Sequence, residues 1–137
     1  MRFMMFIYPG IEDEANWNPS AEDVAAMTAY NEKLTQAGVL LALDGLHPSA
    51  EGARVTYPGG KAKVTDGPFA EAKELIGGYW LIQAKSKEEA VEWASRCPCT
   101  EGAVVEVRRV FEMSDFPADV QEAATLSSTP PQQTASA

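Results

Sequence analysis

The stretch Val64-Thr65-Asp66-Gly67-Pro68-Phe69-Ala70-Glu71-Ala72-Lys73-Glu74-Leu75-Ile76-Gly77-Gly78-Tyr79-Trp80 decides how this chain reads. It completes a hairpin arm, turns at Asp-Gly-Pro, alternates acids with a lysine, and passes through paired glycines into an apolar strand. Just before it, Ala53 to Tyr57 and Lys61 to Thr65 alternate apolar and polar residues around Pro58-Gly59-Gly60, a hairpin signal. Just after it, Tyr79 to Ala84 carries large apolar side chains on both faces, as a buried strand does.

Working outward, Arg2 to Tyr8 is an apolar run too short for a helix and closed by Pro9-Gly10, so it predicts a central strand. Ser20 is placed as a helix N-cap, with Asp23 in the reciprocal position and Pro19 and Val24 spaced as a hydrophobic staple. Val24, Met27, Tyr30 or Asn31, Leu34 and Ala37 follow helical spacing, and Gly38 is placed to end that helix. Val39 to Leu43 then predicts a second strand, followed by the loop Asp44-Gly45-Leu46-His47-Pro48. On the far side, Ser86 to Glu89 forms a capping box for a second helix, which buries Ala90, Val91, Trp93, Ala94 and Cys97 and stops at Pro98. Val104 to Phe111 predicts the last strand. Val105, Val107, Arg109 and Phe111 share one face of it, and Val104, Glu106, Arg108 and Val110 share the other.

The order is β-α-β-β-α-β with an inserted hairpin, an α+β, ferredoxin-like antiparallel sheet with two helices on one face. The uncovered face would expose Phe, Met, Tyr and Trp side chains beyond what a soluble monomer tolerates. A second copy covering it in a two-fold homodimer is the simplest solution, the alternative being the inserted hairpin or the tail of the same chain. Residues 1–113 read as the domain. Residues 114–137, rich in Ala, Ser, Thr, Pro and Gln, read as an extended or mobile tail, with a helical turn or two between Asp115 and Ala124 as the alternative for its first part.

The chain has 137 residues, and its net charge of −9 repels phosphate backbones and anionic lipids, so neither nucleic acid nor a membrane is expected as a partner. No run approaches a membrane span and no cleavage signal follows the first apolar segment, so a cytoplasmic location is expected. Cys97 and Cys99 are separated by one residue, too close for an unstrained disulfide, and a metal would need more ligands than these and His47. No nucleophile triad, phosphate loop or metal cluster is present.

Asp66 is the first candidate catalytic residue, as a carboxylate that could move protons at the mouth of a cavity; Asp-Gly-Pro is also ordinary turn chemistry. His47, the single histidine, is the second. Arg54, Lys73 and Arg108 are basic residues within or beside apolar patterns, and Arg108 could grip a carboxylate or enolate oxygen in a bidentate contact. Each could equally form a surface ion pair with Glu71, Glu74 or Glu106. Tyr79 could line a pocket, although core or interface packing explains it as well.

Val64 to Glu71, Lys73-Glu74, Gly77-Gly78-Tyr79, Glu89-Ala90, Trp93-Ala94, Pro98 and Val105 to Arg108 together resemble the DGPF family of YCII-related proteins. The resemblance runs from the first strand to about Phe111 and implies a ferredoxin-like, dimeric α/β-barrel. In related YCII proteins a histidine and an aspartate are proposed to form an active site. Asp66 matches the aspartate, and His47 is the candidate for the histidine, in the different motif Leu46-His47-Pro48-Ser49.

Two functions follow as expectations, beside a structural-only reading in which side chains fill the cavity. One is an enzyme acting on a small anionic or aromatic molecule in a dimer-associated cavity, moving protons through Asp66, with or without His47, and without a metal or organic cofactor, as in isomerisation or elimination beside a carbonyl. The other is a non-catalytic sensor or regulatory partner; the family is often associated with extracytoplasmic-function sigma factors.

Overall fold

Period-two burial along the central strands organises the molecule. A computed structural model describes residues 1–70 and 74–125. The strands are β1 (Arg2–Tyr8), β2 (Leu40–Gly45), β3 (Ala53–Thr56), β4 (Lys63–Asp66), β5 (Gly78–Gln83) and β6 (Val104–Arg109). The helices are α1 (Ala21–Gln36), α2 (Lys87–Ser95) and α3 (Ala118–Thr125). Four strands form an antiparallel sheet in the order β2-β5-β1-β6, and β3 pairs with β4 as a separate hairpin. This is a mixed α+β architecture consistent with a ferredoxin-like arrangement.

Alternate residues of β1 and β5 face the helices. Phe3, Met5, Trp80 and Ile82 are buried with Tyr30 and Leu34 of α1 and Ala90 of α2, and Ile7, Val105 and Val107 pack against that cluster. The intervening residues Met4, Phe6, Tyr8, Tyr79 and Leu81 lie on the other face and are half-buried. Phe6 pairs in register with both Tyr79 and Glu106, so this face combines aromatic side chains with the Glu106–Arg108 ion pair. The hairpin does not lie over it as a shield: every residue of β3 and β4 is exposed.

The helix ends follow the chemistry in the sequence. Ser20 Oγ accepts the Asp23 N–H at 3.0 Å, and Ser86 Oγ accepts that of Glu89 at 3.1 Å. Glu89 accepts from the Lys85 N–H instead of the Ser86 N–H, so the capping box closes one residue early. Gly38 takes φ +72° after α1, the left-handed conformation that suits glycine.

Some local expectations change, among them Val91, which was expected on the buried stripe of α2 and is 44% exposed. Val24 is 52% exposed, because α1 turns its Tyr30–Leu34 side to the sheet and leaves its first turn outside the core. The last strand ends at Arg109, and Phe111 leaves it to stack on Phe116 with ring centroids 4.9 Å apart. Within the expected tail, where a helical turn or two was the alternative, α3 follows Pro117, places Asp119 in its first turn, and is tied back by the Gln121 side-chain amide donating to the Phe116 carbonyl. Residues 126–137 lie outside the described residues.

Candidate functional site

A cleft opens at the end of the sheet where β1 and β2 finish and β5 begins. Ile7 and Gly45 both pair in register with Gly78 there. This junction is tight because the backbones approach closely. A Cβ on Gly78 would sit 2.8 Å from the Asp44 carbonyl oxygen, and one on Gly77 would sit 2.9 Å from the Pro9 ring. The Gly77 N–H donates to the Ile7 carbonyl at 2.7 Å and the Gly77 carbonyl accepts from Leu46 at 2.9 Å, which joins the loops around the opening. The paired glycines of the quoted stretch therefore shape the mouth of the cleft.

The cavity is about 250 Å³ and lies on the helix side of the sheet, within one chain. Ile7, Leu43 and Trp80 come from the strands, Met27 and Asn31 from α1, and Trp17, Leu46 and His47 from loops. Trp80 is fixed in place: its indole N–H donates to Asn31 Oδ1 at 2.8 Å, and its ring meets Tyr30 edge-on at 5.8 Å. A second cavity of about 320 Å³ shares Glu14, Leu46, His47 and Leu75 with the first and runs beneath the Asp-Gly-Pro-Phe corner, where Ser49 and Phe69 line it.

Glu14 holds that corner. Its two carboxylate oxygens accept from the Ser49 N–H at 2.6 Å and the Ser49 hydroxyl at 2.7 Å, and Ser49 Oγ in turn accepts the Phe69 N–H at 3.1 Å. The Gly67 N–H donates to the Gly52 carbonyl at 2.9 Å, and a Cβ at Gly67 would overlap the Ser49 carbonyl. Beside the cleft, on the opposite face of the sheet, the Tyr79 hydroxyl donates to Asp44 Oδ2 at 2.8 Å. That hydrogen bond raises the Tyr79 pKa above the usual tyrosine value, since removing the proton would set two anions against each other.

Of the residues selected from sequence, His47 lines the cleft, whereas Tyr79 borders it at the start of β5 with its side chain on the other face of the sheet. Asp66 stands exposed at the end of β4, opposite Ala53, and lines neither cavity. Arg54 lays its guanidinium 3.9 Å above the Phe69 ring. Arg108 projects from the other face of the sheet, 72% exposed and 3.3 Å from Glu106, so it grips no ligand in this cleft. Lys73 lies outside the described residues. Sequence reasoning passed over Glu14, Trp17, Asn31 and Asp44. Asn31 carried a signal, as a polar residue on the apolar stripe of a helix; Glu14 carried none, since its partner is 35 positions away.

The YCII-related domain family matches residues 1–114. The chain belongs to that family. Over 68 residues it is 37% identical to an uncharacterised protein of Rhizobium meliloti (strain 1021), a match covering 50% of this chain and 55% of that relative. The chain therefore spans about half the length of the curated relative it matches. The YCII match includes β1 to β6, and so all the strands and loops that build the cleft. Among the described residues no helix is long and apolar enough to cross a membrane.

Proposed function

We propose that this YCII-related protein binds a small, largely apolar molecule, aromatic in the simplest case, in the cleft between α1 and the β1–β5 end of the sheet. The observation that carries this reading is a cavity of about 250 Å³ walled mainly by apolar and aromatic side chains, with Asn31 and His47 among its polar lining residues. Asp66 stands outside that lining, so the geometry favours binding over proton transfer by Asp66. Titrating the protein with indole while following backbone amide resonances tests it. Shifts should concentrate at Leu46, His47, Gly77 and Gly78; shifts confined to the Met4–Tyr8 face of the sheet would refute it.

Asp66-Gly67-Pro68-Phe69 supports placing the chain in the DGPF subgroup. The same proposal includes a homodimer in which a second copy covers Met4, Phe6, Tyr8 and Leu81, because neither α1 nor α2 packs on that face. Monomer mass in light scattering at micromolar concentration would rule that out. A second reading is a sensor that docks on a regulatory partner such as a sigma-factor system. Val55, Tyr57 and Val64 favour it, because they are 48%, 68% and 63% exposed on and beside the hairpin strands.

A further inference from the structure

One polar group on the helix wall of the cleft has its hydrogen-bonding direction fixed by the fold. Building on the binding reading above, we propose that the cleft prefers an uncharged aromatic ligand that carries a carbonyl oxygen over one of the same shape without it, and that the Asn31 side-chain amide donates to that oxygen.

Asn31 stands one helical turn after Met27 on α1, and both line the cavity. Its amide is oriented by Trp80. The indole N–H can only donate, so the 2.8 Å contact is made by the amide oxygen, and the other end of the same group is a nitrogen with two N–H donors. No acceptor among the described residues takes those donors. They are not sealed inside the core either, because among the described residues no buried side-chain nitrogen or oxygen lacks a partner. Nδ2 is therefore reachable, on a residue that lines the cleft beside the indole that walls it.

The amide cannot turn round cheaply. Trp80 is held by Asn31 and by the edge of the Tyr30 ring at 5.8 Å, and offering the amide oxygen to a ligand would leave the indole N–H unpaired. Asn31 thus donates and does not accept, which suits a carbonyl and gives an ammonium group nothing. Charge narrows the ligand further. Glu14 borders both cavities with its carboxylate held by the neutral donors of Ser49, and among the described residues no Lys or Arg lines either cavity. A carboxylate ligand would meet a like charge with no guanidinium or ammonium to pair with, whereas a neutral carbonyl avoids that cost. The ring of such a ligand takes the apolar surface of Ile7, Met27, Leu43 and Trp80.

Titration with indane, 1-indanone and indane-1-carboxylate, followed through the Gly77 and Gly78 amide resonances, separates the outcomes, since the three share one bicyclic frame and differ in the group on one carbon. 1-Indanone should bind about three- to ten-fold more tightly than indane, the gain expected of one hydrogen bond, and the carboxylate should bind more weakly than the ketone. Asn31→Asp keeps an acceptor for the Trp80 N–H and removes the donors, so the ketone-to-indane ratio should fall to one or below. Indane binding with no preference for the ketone, a preference that survives in Asn31→Asp, or tighter binding of the carboxylate than of the ketone overturns the inference and leaves the cleft reading standing, whereas failure of all three ligands overturns both. If Asn31→Asp does not fold, the side-chain amide resonances of Asn31 in the wild type decide: they should move further with 1-indanone than with indane, and equal shifts count against the hydrogen bond.

Discussion

Glu14 and Ser49, 35 positions apart, are joined by two hydrogen bonds to one carboxylate, at 2.6 and 2.7 Å. This clamp ties the loop after β1 to the loop that supports the Asp66–Phe69 corner. Hydrogen bonds to a charged acceptor contribute about 1.5–3 kcal/mol each, less where water reaches them. Glu14→Ala should therefore destabilise the protein by about 1–2 kcal/mol in urea denaturation. Hydrogen exchange at the Phe69 amide should accelerate as well. An unchanged exchange rate there would mean that the corner stands without the clamp.

Leu34→Ala should be far more costly than Val24→Ala, although both sit on α1. Leu34 is fully buried in the core, where truncation costs about 2–5 kcal/mol. Val24 is 52% exposed, and its truncation should stay within about 0.5 kcal/mol. Thermal or urea denaturation of the two variants would show the difference directly.

Tyr79 should ionise late. Its pKa is raised by the hydrogen bond to Asp44, so the stability this bond contributes is present below the ordinary tyrosine value and is lost as pH rises through the folded value. The ultraviolet titration difference between wild type and Tyr79→Phe isolates this phenol, and Asp44→Asn should move its midpoint down.

The Arg2–Glu112 pair should act at the other end of the pH scale. The Glu112 pKa is lowered by the hydrogen bond from Arg2, at 2.7 Å. Its contribution is therefore present above the ordinary carboxylate range and lost as pH falls through the lowered value. A stability gap between wild type and Glu112→Gln should be seen at neutral pH and close in acid. A gap that persists at acidic pH would assign the effect to packing.

Cys99 should be alkylated ahead of Cys97. Burial, with the neighbouring Cys99 as a lesser cause, pushes the Cys97 thiol up to about 12, while Cys99 is exposed. Mass spectrometry after brief iodoacetamide treatment would place the first label, and equal labelling would contradict the buried setting of Cys97.

Much of the fold was legible because its signals are local. Ser20 and Ser86 cap helices by bonding residues three positions on, Gly38 ends a helix, and the β1 alternation sorts Phe3 and Met5 from Met4 and Phe6. The site was legible only in part. His47 lines the cleft, but the Tyr79 side chain points to the other face of the sheet, and Asp66, the residue with the most distinctive motif, serves the corner where β4 ends. Phe111 was misplaced because strand alternation cannot register that the chain leaves the sheet and finds Phe116.

By itself the sequence determined the elements and their order, since capping, turn chemistry and period-two burial act over a few residues. Only the tertiary structure decided where the cleft lies and which charges face it. Glu14 reaches Ser49, Asp44 reaches Tyr79 and Asn31 reaches Trp80 across 35, 35 and 49 positions, and such pairings arise from how the strands register and the helix docks. The paired glycines span both levels: they are visible as a motif, but they are required because the Asp44 carbonyl and the Pro9 ring leave no room for a side chain.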